Sequence, residues 1–331
     1  MPSSLPRAAF FGHNAECINA VYAQGRRQQV EQLTDCAPKI MGLPALEAGE
    51  LADVEVLFST WGFPSLDDAQ LDKMPNLRAV FYAAGTVQNF ARPLLRRDIT
   101  VVSAWAANAV PVAEWTLAQI LLANKGYHRN EREFAATRSG HKFRGRGNFG
   151  APVALLGAGQ IGRRVVELLQ PFNLEVLVFD PFLPDDAAAK MGVEKVELDQ
   201  AFARGHVVSN HLANLPATVG MLSGAHFANM APDATFINTG RGATVRQNEM
   251  IEVLRNRPDL TALLDVTAPE PAPPDSELWE LPNVHLTTHI AGSIGDEVVR
   301  MADYAIEEFV RWQRKEPLRY AVTEEMLELM A

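Results

Sequence analysis

Short apolar runs bounded by turn-forming residues alternate with stretches of helical spacing along most of this chain. Ala8-Ala-Phe-Phe11, Val54-Glu-Val-Leu-Phe58, Arg78-Ala-Val-Phe-Tyr82 and Ile99-Thr-Val-Val102 read as strands. Leu66 to Met74 reads as a short helix between them, closed by Pro75. Ala109 to Lys125 is a long helix, apolar on nearly every face although it contains Glu114 and Trp115. Such a helix is expected to be covered by a domain or subunit contact. From Val153 the alternation resumes. Strands are expected at 153–156, 174–179, 207–211, 234–238, 262–265 and 284–287, and helices at 163–170, 196–203, 218–230, 247–257 and 301–314. Unbroken apolar strands separated by helices belong to parallel sheets covered on both faces. The pattern predicts an α/β protein of two domains, each a mainly parallel sheet flanked by helices.

One stretch specifies more. Val153-Ala-Leu-Leu is followed by Gly157, Gly159 and Gly162 at the spacing G-x-G-x-x-G, then by a helix and by the strand Leu174–Phe179, which ends in Asp180. Gly157 permits a tight turn, Gly159 lets backbone approach a pyrophosphate, and Gly162 lets the helix pack closely on the strand. The first N–H groups of the helix, around Gln160 and Ile161, then face the phosphates. Asp180 follows Gly162 at close to the expected separation of about 20 residues. The residues from 106 to 292 are therefore expected to form a Rossmann-type dinucleotide-binding domain. Residues 1–105 carry no such glycine turn, and with 293–331 they are expected to form a substrate domain of flavodoxin-like type into which the first is inserted. Arg319–Thr323 could return to it. A carboxylate at Asp180 can accept from both ribose hydroxyls of NAD. Against a 2′-phosphate it would repel by about 4 kcal/mol for unit charges about 4 Å apart at an effective dielectric of about 20. Pro181-Phe-Leu-Pro184 offers no cation to reverse this, so NAD is the expected cofactor.

Composition narrows the partners. The 331 residues are 47% hydrophobic and 21% charged, with a net charge of −10, ordinary for a globular protein and unsuited to nucleic acid as the main partner. Tyr127 to Phe149 is locally basic, with Arg129, Arg132, Arg138, Lys142, Arg144 and Arg146, and reads as a solvated helix face and connecting loop. Cys17 and Cys36 stand at no metal or redox spacing. Neither a signal peptide at Met1–Phe11 nor a membrane span is visible, so a cytoplasmic protein without metal, membrane or nucleic-acid partner is expected. The apolar helix from Ala109 suggests a homodimer.

Three residues at predicted strand ends stand out: Arg241 in Asn238-Thr-Gly-Arg-Gly242, Glu270 in Asp265-Val-Thr-Ala-Pro-Glu-Pro271, and His289 in His289-Ile-Ala-Gly292. With the glycine turn, these ordered motifs make nearly the whole chain resemble the D-isomer-specific 2-hydroxyacid dehydrogenase family. The resemblance implies interconversion of a 2-oxo acid and a D-2-hydroxy acid by hydride transfer. Arg241 would grip the substrate through its planar fork, His289 would exchange the proton, and Glu270 would orient the imidazole and favour its charged form. It also implies that the backbone of Ala84-Gly85-Thr86 receives the substrate carboxylate, and that Thr239 and Asp265 lie near the cofactor, Asp265 at the nicotinamide carboxamide. Small substrates of the glyoxylate or hydroxypyruvate type are expected.

The chain departs from the family pattern in places. Ala213 stands where proline is usual, His206 where aspartate is common before a strand, and Trp105-Ala106 where Pro-Gly is commoner at the first crossing between domains. A rival reading is an NAD(H)-sensing regulatory protein that kept the fold, although a sensor needs no proton donor. A formate-oxidising relative would carry glutamine in place of Glu270.

Overall fold

The structure, a computed structural model, describes residues 5–139 and 143–328; Lys142 of the basic stretch lies outside them, as does the start of the N-terminal segment. The chain divides into two compact units, one running to Asn108 and resuming at Ser293, the other spanning Ala109–Gly292.

The first unit contains β1 (Arg7–Phe10), β2 (Asp35–Cys36), β3 (Val56–Ser59), β4 (Ala79–Tyr82) and β5 (Thr100–Ser103), all parallel, in the order β2-β1-β3-β4-β5. This is the flavodoxin-like order, whose switch point lies between β1 and β3. Stacked, tilted and edge-on rings of Phe10, Phe58, Phe81 and Phe309 fill the core. Phe309 comes from the helix Val299–Gln313, which buries Met301, Ala302, Ala305 and Ile306 on the same side. The segment expected to return does so: Tyr320 O accepts from Ser103 N at 3.1 Å, and Val322 N donates to Val101 O at 2.8 Å, in an antiparallel bridge beside β5.

The sequence pattern missed Ala15–Val21, Arg26–Leu33, Leu43–Glu47 and Ala91–Leu95, all helical. Arg26–Leu33 buries Val30 alone, so it has no apolar period to read. The helix expected over 66–74 covers only Asp68–Leu71, begun by a capping box between Asp67 and Gln70. Trp105, met in the sequence at an expected crossing, starts the long helix Trp105–Asn124. Its ring stands edge-on to Tyr320 at 5.9 Å, and Tyr320 stacks on Tyr304, so the indole packs within the first unit.

The second unit contains β6 (Pro152–Leu156), β7 (Glu175–Phe179), β8 (Glu194–Lys195), β9 (Val207–Asn210), β10 (Thr235–Asn238), β11 (Thr261–Leu264) and β12 (Val284–Leu286), parallel in the order β12-β11-β10-β9-β6-β7-β8. That is the doubly wound Rossmann order with one strand added beyond β11. The helix expected over 218–230 is reduced to Gly224–Ala228. Upstream, Gly220 N and Leu222 N donate to the carbonyls of Ala243 and Thr244, which holds the segment extended. Ser223 and His226 then cap a fresh helix. In the basic stretch, Arg129 pairs with Glu133 and Asp233, and Arg132 donates to the carbonyls of Pro282 and Pro258. Among the described residues no helix is long and apolar enough to cross a membrane.

Two features of the fold generate tests. Glu308, 1% exposed, accepts from the main-chain N–H groups of Arg319 and Tyr320 at 2.8 and 3.0 Å and faces Arg311 Nε at 3.5 Å. Removing it strands two main-chain donors and takes one of two carboxylate partners from Arg311, which also faces Glu316, so Glu308→Ala is expected to cost about 3 kcal/mol in chemical denaturation; a loss under about 0.5 kcal/mol would contradict the assignment. In the second unit, burial pulls His128 and His211 down to about 4 from 6.5. Below about pH 6.5 the unfolded chain takes up protons that the folded unit refuses. The stability these groups confer is therefore complete above that pH and lost as pH falls towards about 4. Melting temperature is expected to drop across this window, and less steeply in His211→Gln; parallel curves for the two proteins would count against it.

Candidate active site

The glycine turn joins β6 to the helix Gln160–Leu169, which starts three residues earlier than its apolar spacing suggests. Gly159 caps it, so the N–H groups of Gln160 and Ile161 belong to its unpaired first turn. A Cβ on Gly162 would lie 2.0 Å from the carbonyl oxygen of Gly157, whereas one on Gly159 would meet nothing within 4 Å. The first glycine is required by packing, and the second faces open space. Gly157 itself has φ +100° and donates its N–H to Phe179 O at 2.8 Å. Asp180 closes the cradle: Oδ2 accepts from Ala158 N at 2.7 Å and Oδ1 from Phe182 N at 2.8 Å. Its carboxylate is thereby fixed beside the turn with a lone pair left on each oxygen, and it fits a ribose diol. The structure thus supplies what a dinucleotide needs: exposed N–H groups at a helix start, a side-chain-free approach and an oriented acid. Phe182, two residues on, is 75% exposed, and sequence reading gave it no part.

Arg241, Glu270 and His289 follow β10, β11 and β12, three adjacent strands, at their carboxyl ends. Two loops meet because Gly242 has no side chain: a Cβ there would lie 2.1 Å from the carbonyl of Thr267. Arg241 is held by a 2.8 Å bond from Nη1 to the carbonyl of Gly240; burial lowers its pKa and Glu270 opposes that shift. Nδ1 of His289 lies 2.5 Å from Glu270 Oε1. With Nδ1 engaged as a donor to the carboxylate, Nε2 is the nitrogen left to meet a reactant.

His289 has φ +59°, a left-handed backbone that costs a non-glycine residue on the order of 1–3 kcal/mol unless its surroundings impose it. Asp265 imposes it. Its main-chain oxygen accepts from His289 N at 3.1 Å; Oδ1 accepts from Thr287 Oγ1 at 2.6 Å and Ile290 N at 2.8 Å, and Oδ2 from Ala291 N at 2.9 Å. The carboxylate is 2% exposed, so the protein's own donors occupy the group expected at a carboxamide. Thr239 likewise turns Oγ1 to His211 Nδ1 at 3.2 Å, which leaves its main chain for any cofactor. Ala213 O accepts from Thr218 Oγ1 at 2.5 Å, and His206 is buried with its pKa lowered by desolvation.

In the first unit, Ala84-Gly85-Thr86 follows β4. Two hydroxyls missed in the sequence fix this turn from neighbouring strands. Thr60 Oγ1 donates to Ala83 O at 2.7 Å, and Ser103 Oγ lies 2.9 Å from Ala84 O and 2.5 Å from Gly85 O. The signal was a hydroxyl residue at or just beyond the ends of β3 and β5. Among the described residues no group of three or more His, Cys, Asp or Glu could hold a metal.

Gly162 yields a direct test. Gly162→Ala forces the helix off β6, and NADH affinity measured by fluorescence titration is expected to fall at least about tenfold; unchanged affinity would contradict the cradle.

Residues 117–291 match the family model for the D-isomer specific 2-hydroxyacid dehydrogenase NAD-binding domain. The chain is 33% identical over 230 residues to (S)-sulfolactate dehydrogenase of Chromohalobacter salexigens, covering 69% of this chain and 74% of that protein. It is 27% identical over 259 residues to D-3-phosphoglycerate dehydrogenase of Archaeoglobus fulgidus, covering 78% of this chain and 49% of that one. It thus spans about half the length of the phosphoglycerate dehydrogenases it matches. The holo form of D-mandelate dehydrogenase from Rhodotorula graminis has the same fold, with TM-score 0.80, 20% identity and coverage of 97% of this chain and 98% of that one. The chain belongs to the D-isomer-specific 2-hydroxyacid dehydrogenase family and carries that family's NAD-binding domain.

Proposed function

We propose that this protein interconverts a 2-oxo acid and the corresponding D-2-hydroxy acid, with NAD as its cofactor. The observation that carries the reading is the 2.5 Å contact of His289 Nδ1 with Glu270 Oε1, beside the loop of Arg241. A sensor of the cofactor would need no paired imidazole and carboxylate; a proton-transfer enzyme does.

Gly157, Gly159, Gln160, Ile161 and Gly162 would hold the cofactor phosphates, Asp180 its ribose, and the main chain of Thr239 the adjoining part. The fixed carboxylate of Asp180 with no following cation supports NAD over NADP. When bound, the reduced nicotinamide supplies a hydride to the carbonyl carbon. Arg241 binds the acid by charge-assisted hydrogen bonds, strengthened by its partial burial. His289 gives a proton from Nε2 to the carbonyl oxygen, and in the reverse direction the neutral ring removes it from the hydroxyl. Glu270 keeps Nδ1 protonated and opposes the charge the ring gains. Asp265 acts through the loop it grips, as a positioning residue. The main-chain amides of Ala84, Gly85 and Thr86, their carbonyl sides held by Thr60 and Ser103, would receive a carboxylate.

Residues 1–105 with 293–331 would serve the substrate and residues 106–292 the cofactor. The relatives named above act, by their names, on phosphoglycerate, sulfolactate and mandelate. The common element is a 2-hydroxy acid, and small acids such as glyoxylate and hydroxypyruvate are the proposed starting point. Leu122, Tyr127, Phe134 and Phe149 are exposed along one stretch of the second unit, which supports a homodimer. Both cysteines are free, which suits the reducing cytoplasm proposed for it.

His289→Ala is expected to lower kcat for 2-oxo acid reduction by about 10²–10⁴-fold while NADH still binds. Arg241→Lys is expected to lower kcat/KM at least about tenfold, because an ammonium cannot reproduce the fork. Retained NADH binding with no turnover of any 2-oxo acid by the native protein would favour the sensor.

A further inference from the structure

The proposed reaction asks Arg241 to hold its fork still, and a loop does that poorly unless something beneath it is fixed. Asn210 and Asn238 are register partners at the carboxyl ends of β9 and β10. They are 0% and 1% exposed. Buried amides are costly unless their polar atoms find partners, and these two spend theirs on the loop of Arg241. Asn238 Oδ1 accepts from Gly240 N at 3.1 Å and from Asn210 Nδ2 at 3.0 Å. Asn210 Nδ2 also reaches Thr244 Oγ1 at 2.9 Å, and Thr244 Oγ1 reaches Arg241 O at 2.8 Å. A Cβ on Gly240 would lie 3.3 Å from Asn210 Nδ2, so the loop rests directly on this amide.

The direction of each bond follows from its donor. Leu212 N can only donate, and it reaches Asn210 Oδ1 at 3.2 Å, so the other end of that amide is the NH2 group. Asn210 Nδ2 therefore donates to Thr244 Oγ1, and the single proton of that hydroxyl is directed to Arg241 O. The same carbonyl accepts from Thr244 N at 3.2 Å. On the other side of Arg241, the Gly240 peptide is held through its N–H by Asn238, and its carbonyl receives Arg241 Nη1 at 2.8 Å. One buried amide, Asn210, thus braces the main chain before Arg241 through Asn238 and after it through Thr244.

We propose that Asn210 and Thr244 are positioning residues for the reaction: they fix the main chain on both sides of Arg241, so that its guanidinium meets the substrate without first ordering the loop. Both side chains are 0% exposed and act through Arg241 rather than on the acid itself. This rests on the dehydrogenase reading above and adds to it the residues that keep its arginine in place.

The test measures kcat/KM with NADH for whichever of glyoxylate, hydroxypyruvate and phenylpyruvate the native protein reduces best, and NADH affinity by fluorescence titration. Thr244→Val keeps the shape and removes the proton, whereas Thr244→Ser keeps the proton. Asn210→Asp keeps the acceptor for Leu212 N and leaves at most one proton for the two partners of the NH2 group. Thr244→Val and Asn210→Asp are each expected to lower kcat/KM at least about tenfold, with NADH affinity within about twofold of native. Thr244→Ser is expected to stay within about threefold of native kcat/KM. Added to Arg241→Lys, Thr244→Val is expected to cost less than about threefold more, because the fork it positioned is gone. Should Asn210→Asp fail to fold, the Thr244 series decides alone. An equal loss from Thr244→Val in both backgrounds, equal losses in its valine and serine variants, or a fall in NADH affinity that accounts for the loss would overturn the proposal while leaving the dehydrogenase standing. Absence of turnover on all three acids by the native protein would overturn both.

Discussion

The arrangement at the end of β12 depends on one buried carboxylate. Asp265 receives three hydrogen bonds from the segment 287–291, and its main chain receives a fourth from His289. A buried carboxylate without such donors would be costly, and a left-handed histidine without such a clamp would relax. Each problem resolves the other. The strain at His289 is held by the pairing of charge with N–H groups, and the imidazole is thereby presented to Glu270 at hydrogen-bonding distance.

The same economy of close approach governs the rest of the second unit. Gly162 lets a helix begin against the turn that precedes it, and Gly242 lets the loop of Arg241 lie on that of Thr267. Asp180 and Asp265 perform parallel tasks at opposite sides of the sheet, each a strand-terminal acid whose oxygens organise a loop. In the first unit hydroxyls replace acids: Thr60 and Ser103 hold the turn after β4.

The strands of both sheets and the glycine turn were legible because parallel strands buried on both faces are continuous apolar runs, and because the turn needs glycine for reasons of space. Polar helices such as Arg26–Leu33 escaped because each buries one side chain or few. The 218–230 segment misled because its helical spacing is overridden by pairing with the main chain of 243–244. At the candidate site, Arg241, Glu270 and His289 could be named from motif order, and the contact of His289 with Glu270 follows from their places after adjacent strands. What sequence could not convey is which acids face inward. Asp265 is an example: the hydrogen bonds of its carboxylate run to its own chain. Trp105, an aromatic where Pro-Gly is commoner, packs on Tyr320 within the first unit.

The central claim is that His289 and Glu270 act as one proton-transferring pair. A double-mutant cycle on kcat/KM for 2-oxo acid reduction, with Glu270→Gln, His289→Ala and both together, tests it most directly. A working pair is expected to lose much less in the double variant than the two single losses add up to as free energies, with NADH affinity retained in each. Losses that simply add would contradict the pairing as the basis of the chemistry.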